Sequence, residues 1–176
     1  MRIKTTRFSE IEVPEDKVLR FPQGLIGFEE MKAFAVISRG DSPFVWLQSL
    51  DDPDLAFVVT DPGFFVEKYN PTIDQRSAAH IGISPRPSFP AEPVCGSGPT
   101  GSESPGGEGV RLLVIVTVPG EPTDATINLQ APIFVNERTM LGIQVVTMNP
   151  AYPLKYRLFG DGLAAKGRDS GAGPYP

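Results

Sequence analysis

The 176-residue chain has one cysteine, one histidine and one tryptophan. A lone Cys95 excludes an internal disulfide framework, and with His80 as the single histidine there is no usual His/Cys metal constellation. No apolar run approaches the length needed to cross a membrane: the densest, Leu112 to Val116, is far too short, and Met1 to Arg7 lacks the apolar segment of a secretory signal. A reducing, cytoplasmic setting is the expectation. Basic residues are outnumbered, 16 Lys and Arg against 21 Asp and Glu, for a net charge of −5. That balance argues against a nucleic-acid footprint, which needs a basic face, and fits a basic protein partner more readily.

Catalytic signatures are also missing. The sequence has no Gly-x-Ser-x-Gly, His-Glu-x-x-His or Walker lysine motif, and the Gly-rich stretch Gly101 to Gly107 lacks the lysine that would reach a phosphate. Cys95 has no evident base beside it, which reads as an incidental thiol. His80 closes a short helical pattern and reads as a helix-end side chain.

What is present is strand. Short runs rich in Val, Ile, Phe and Thr recur between Pro, Gly and Asp punctuation. The pattern predicts strands over 2–5, 10–13, 17–21, 34–38, 44–50, 55–60, 111–118, 125–129, 133–135 and 142–147, with short helices over 28–33 and 73–80. In Glu10-Ile11-Glu12-Val13 the alternation puts Ile11 and Val13 inward and both glutamates in water. Leu112 to Val116 has no such alternation, so both of its faces should be covered. The fold class is mainly β, a single antiparallel domain in which a barrel and a sandwich are equally compatible with the pattern.

From Ser84 to Gly109 the composition changes: six Pro, six Gly and five Ser occupy 26 positions, with Phe89 the only aromatic. Such a segment buries too little apolar surface to offset its ordering entropy, so a disordered insert is expected, and residues 160–176 read as a disordered tail. The domain is then 1–159, interrupted by 84–109.

Candidate functional residues are few. Asp51, Asp52, Asp54 and Asp61 form the one carboxylate cluster; turn chemistry is the plain reading, an acidic recognition patch the alternative. Trp46 shares a strand face with Phe44 while Val45 and Leu47 point the other way; Trp46 reads as a core filler or, alternatively, as an interface aromatic. Phe64 and Phe65 are adjacent, so on a strand one of them must face outward. Asn128, between Ile127 and Leu129, serves either its own backbone or a partner's, and Pro132 marks a strand edge or break.

Several blocks together resemble the bacterial flagellar assembly factor FliW family: Arg20 to Glu29, Phe44 to Ser49, Pro53 to Pro62 and, above all, Ala125 to Asn136. The resemblance runs from Met1 to about Phe159, and the insert departs from the family pattern. It implies a compact β-barrel-like domain that is not an enzyme. It also implies two partners, the translational repressor CsrA and newly made flagellin, with flagellin occupying the protein until export frees it to sequester CsrA. No cofactor, direct nucleic-acid contact or membrane contact is implied. Candidate partner contacts are Phe44, Trp46, Gln48, Asp51, Asp52, Asp54, Asp61, Phe64, Phe65, Asn128 and Asn136. The competing expectations are a small β-barrel enzyme or ligand carrier whose cavity uses Trp46, Phe57 and the aspartates, and a nucleic-acid-binding barrel.

Overall fold

The computed structural model describes residues 2–83 and 109–159. The expected insert and tail fall almost wholly outside them, as do Phe89 and Cys95. Strands β1 (Arg2–Thr5) and β2 (Ser9–Glu12) form a hairpin with Ile3 opposite Ile11. Its turn is held by Thr5 Oγ1, which accepts the Phe8 amide at 2.8 Å. Both isoleucines pack with Val13, Val18 and Ala35 while the glutamates stay in water, as the alternation requires.

The remaining strands build the barrel: β3 (Val18–Arg20), β4 (Ala33–Ser38), β5 (Phe44–Ser49), β6 (Ala56–Thr60), β7 (Val110–Thr117), β8 (Thr126–Ile127), β9 (Ile133–Asn136), β10 (Leu141–Gln144) and β11 (Tyr156–Arg157). Neighbours run β7-β6-β5-β4-β3-β10-β9, and β9 pairs back onto β7, closing seven strands into a ring. All pairings are antiparallel except β3 with β10, which meet in parallel at Arg20 and Leu141. Closure removes the open edges that so many short strands would expose.

The uninterrupted apolar run of β7 now has its reason. Leu113 and Ile115 point into the barrel; Val110 and Leu112 pack outward beside α1 (Gln75–His80), and Val114 and Val116 outward beneath β8. The eight-residue strand pairs with β9 along its first half and β8 along its second. The barrel interior is filled at one end by Phe21, Phe34 and Phe57, with Phe21 and Phe34 edge to face at 5.5 Å.

Asp74 caps α1, its carboxylate accepting the amides of Arg76 and Ser77, both at 3.0 Å, and the Ser77 hydroxyl. The Ser77 hydroxyl, then these amides, hold its carboxyl below the usual range. His80 closes the helix with Nδ1 2.8 Å from the Arg76 carbonyl, the helix-end role its position implies.

Residues 28–33 do not form the expected helix. Gly24 and Gly27 both take positive φ, Leu25 and Phe28 bridge across the turn, and the Asp51 carboxylate accepts the amides of Lys32 and Ala33, drawing the chain into β4 instead. The strand expected over 125–129 shortens to two residues, because Asn128 Oδ1 turns the chain by accepting the amides of Gln130 and Ala131. Pro132 breaks the run between β8 and β9 but does not leave an edge: its carbonyl accepts the Val145 amide at 3.0 Å.

Candidate functional site

The eleven candidate residues fall into separate places. Gln48 is fully buried; its Nε2 lies within 3.0–3.4 Å of the carbonyls of Ser49, Asp52, Pro53 and Leu55 and so holds the loop after β5. In that loop Ser49 Oγ accepts the amides of Asp51 and Asp52, Asp52 Oδ1 accepts that of Asp54, and Asp54 accepts the Thr6 hydroxyl from the hairpin. Asp61 begins the next turn, accepting the Gly63 amide at 2.8 Å. Asp52 and Asp61 thus hold local backbone, as the turn reading requires, while Asp54 ties the loop to the hairpin and Asp51 reaches across to the amides that enter β4. Among the described residues no three His, Cys, Asp or Glu side chains converge on a point that could hold a metal ion.

The two asparagines also face inward on their own chain. Asn136 is buried, its Nδ2 donating to the Ile81 carbonyl at 2.9 Å while Oδ1 accepts the Arg138 and Thr139 amides. Asn128 is spent on the turn before Pro132. Bonds of this kind explain why these residue types stand in a strand-rich stretch without any partner.

Trp46 is not a core filler. Leu47 takes the barrel interior, and Trp46 lies half-buried on the opposite face, under Phe8 (edge to face at 5.5 Å) and the Arg7 guanidinium 4.7 Å above its ring. Alternation along β5 decides this: Val45 and Leu47 take the inner face, which leaves Trp46 on the outer one with Phe44.

Phe44, Phe65 and Phe64 are brought together. Phe65 follows a 3₁₀ turn over Pro62–Phe64 rather than extending a strand, stacks on Phe44 at 5.9 Å and joins the cluster under β8. Phe64 meets Phe65 edge on and is left 66% exposed. Asp61, by capping the turn, fixes the direction in which Phe64 projects. Phe64 is the one candidate presenting a large apolar surface to solvent.

A second exposed apolar stretch was read from sequence only as a strand. The strand expected over 142–147 ends at Gln144, but the Val145 and Thr147 amides continue the β9–β10 register by donating to the carbonyls of Pro132 and Gln130. Val146 is 52% and Met148 92% exposed. These residues form one wall of a groove of about 600 Å³ whose other wall includes Asn70, Thr72 and Ile73. Alternation assigns faces but not neighbours, so nothing in the sequence marked this strand's outer side as uncovered.

Thr147 Oγ1 is sealed beneath this segment without a hydrogen-bond partner. A buried hydroxyl left unpaired costs about 1–3 kcal/mol, and valine replaces it with a methyl of the same shape. Thr147→Val is therefore expected to raise the melting temperature, by about 1 kcal/mol of stability in denaturant titration. A fall would mean that the hydroxyl holds a bond in solution.

A cavity of about 400 Å³ occupies the end of the barrel opposite the phenylalanines, walled by Leu19, Leu47, Leu113, Val135 and Met140 and rimmed by Arg111 and Glu137, which pair at 3.8 Å. Neither Trp46, Phe57 nor any of the four candidate aspartates lines it. Asp16 and Lys17 also reach it, so this cavity has a charged rim but no aromatic wall and none of the residues expected of a ligand carrier.

These features define a closed β-barrel whose candidate polar residues serve its own backbone and whose outward features are isolated apolar side chains. The FliW protein family model matches residues 2–158. The flagellar assembly factor FliW of Leptospira interrogans serogroup Icterohaemorrhagiae serovar copenhageni is 38% identical over 161 residues, covering 90% of this chain and 93% of its own. That of Geobacillus kaustophilus is 35% identical over 164 residues, covering 93% and 99%. A crystal structure of the flagellar assembly factor FliW superposes with a TM-score of 0.72 at 32% identity, over 93% of this chain and all of that one. The chain belongs to the FliW family of flagellar assembly factors.

Proposed function

We propose that this protein is a non-enzymatic, cytoplasmic regulator that binds newly made flagellin and, when flagellin is exported, sequesters the translational repressor CsrA and so relieves repression of flagellin translation. Membership of the flagellar assembly factor family over nearly the whole described chain carries this reading. The net charge of −5 agrees with a basic partner, and an acidic surface speeds and orients such an encounter. If the two partners exclude one another, each lowers the other's apparent affinity by the same factor, and the flagellin stock sets the free regulator.

Calorimetric titration with flagellin and with CsrA, each then competed against the preformed complex, tests this. Binding to both with mutual displacement is the expected result. Binding to flagellin alone would reduce the role to a chaperone or sensor, and binding to neither would overturn it.

Phe64 is the contact this reading favours, as an exposed aromatic on a rigid capped turn. Phe64→Ala is expected to leave stability within about 0.5 kcal/mol, since the ring buries little. The same variant should weaken at least one partner about tenfold or more. Unchanged affinity for both partners would remove Phe64 from the interface.

A further inference from the structure

The edge beyond β10 is the feature that the barrel's architecture leaves unexplained. The amides of Val145 and Thr147 bond inward to the 130–132 segment, continuing the β9–β10 register. Because successive amides of an extended chain point to opposite sides, those of Val146 and Met148 point away from it, and neither has a protein partner among the described residues. Natural sheets blunt such edges with charge, proline, shortness or cover. Here closure protects the seven barrel strands, and β11 is two residues long and carries Arg157. Val145-Val146-Thr147-Met148 has no charge and no proline, and its outward side chains are apolar and exposed.

We propose that this edge seats an extended segment of the protein partner, which adds to residues 145–149 as a further strand. The inference rests on the reading of the chain as a protein-binding regulator. Main-chain carbonyls of an extended peptide are the acceptors that match donors repeating every second residue, and Val146 and Met148 offer apolar cover for its alternate side chains. Charge narrows the occupant further. Among the described residues Asp74 is the one acidic side chain on the adjoining groove, its carboxylate is already engaged by Ser77 and the helix amides, and no Lys or Arg lines the groove. An acidic segment would meet a like charge with no basic side chain to offset it, so the seated peptide is neutral or basic.

The test separates a main-chain contact from a side-chain one. Flagellin and CsrA are each titrated into wild type, Met148→Ala and Met148→Pro, and amide hydrogen exchange is followed in the wild-type complexes. Met148→Ala keeps the N–H and Met148→Pro deletes it, at a position whose amide bonds none of the described residues. The expected result is a loss of about threefold or less for alanine and about tenfold or more for proline with the partner that adds the strand. In that complex the amides of Val146 and Met148 should gain protection. Wild-type binding with both amides exchanging as in the free protein overturns the edge alone and leaves the regulator reading standing, and this readout decides even where the proline variant fails to fold. Equal binding by a folded Met148→Pro does the same. Failure of wild type to bind either partner overturns both.

Discussion

Phe34→Ala is expected to destabilise the protein by about 3–5 kcal/mol, among the largest losses a single side chain here can cause. The ring is fully buried, edge to face with Phe21 at 5.5 Å and tilted against Phe57 at 6.0 Å. The removed apolar surface and the two ring contacts are lost together, the latter worth about 0.5–1.5 kcal/mol each. What decides where in the range the loss falls is whether the site can collapse. A ring of seven hydrogen-bonded strands fixes the distance between its walls, so they close only partly around a missing ring. The upper half of the range follows. Denaturant titration should show a lowered midpoint with unchanged slope. A loss under about 1 kcal/mol would mean that the aromatic end repacks freely, contrary to this picture of the barrel.

How much of this was legible beforehand depended on which physical signal each feature carried. Most strands with alternating or fully apolar faces were read within a residue or two, 44–50 and 55–60 against β5 and β6 among them, whereas the one expected over 142–147 ends at Gln144. The short helix expected over 73–80 is present as Gln75–His80, though its Asp74 cap is seen only in the structure. The two-residue β11 was missed, because Tyr156-Arg157 has no period to detect. Closure was read only through family resemblance: side-chain alternation says which residues share a face and is silent on which strand lies alongside, so the parallel β3–β10 pairing and the division of β7 between β8 and β9 left no local trace.

The candidate site was less legible, for a reason that Gln48, Asn128 and Asn136 make plain. A polar side chain in an apolar strand signals that some backbone needs a partner, and the same signal arises whether that backbone is the chain's own or another protein's. In each of these three the structure supplies the chain's own. Conversely, the amides of Val146 and Met148, which bond none of the described residues, involve no unusual residue type at all, so no reading of side chains alone would single them out.

The same distinction between sequence signal and spatial cause gives the second large effect, in the block Arg20 to Glu29. Gly24 and Gly27 look alike in sequence, and both take positive φ, +75° and +83°. A Cβ on Gly27 would meet nothing within 4 Å, so Gly27→Ala should cost only the left-handed strain, about 1–2 kcal/mol. Its amide bond to Glu29 Oε1 would survive. At Gly24 a Cβ would fall 2.5 Å from Glu29 Cα and 2.6 Å from its carbonyl oxygen. Backbone cannot swing aside as a side-chain end can, so the turn carrying Leu25, fully buried, and Phe28 must move with it. Gly24→Ala is therefore expected to cost about 3 kcal/mol or more, the strain plus the displaced packing. Measured side by side in urea, the difference between the two variants isolates the steric part. Equal losses would show that the turn relaxes around a methyl group, and that Gly24 is required for its backbone angle alone.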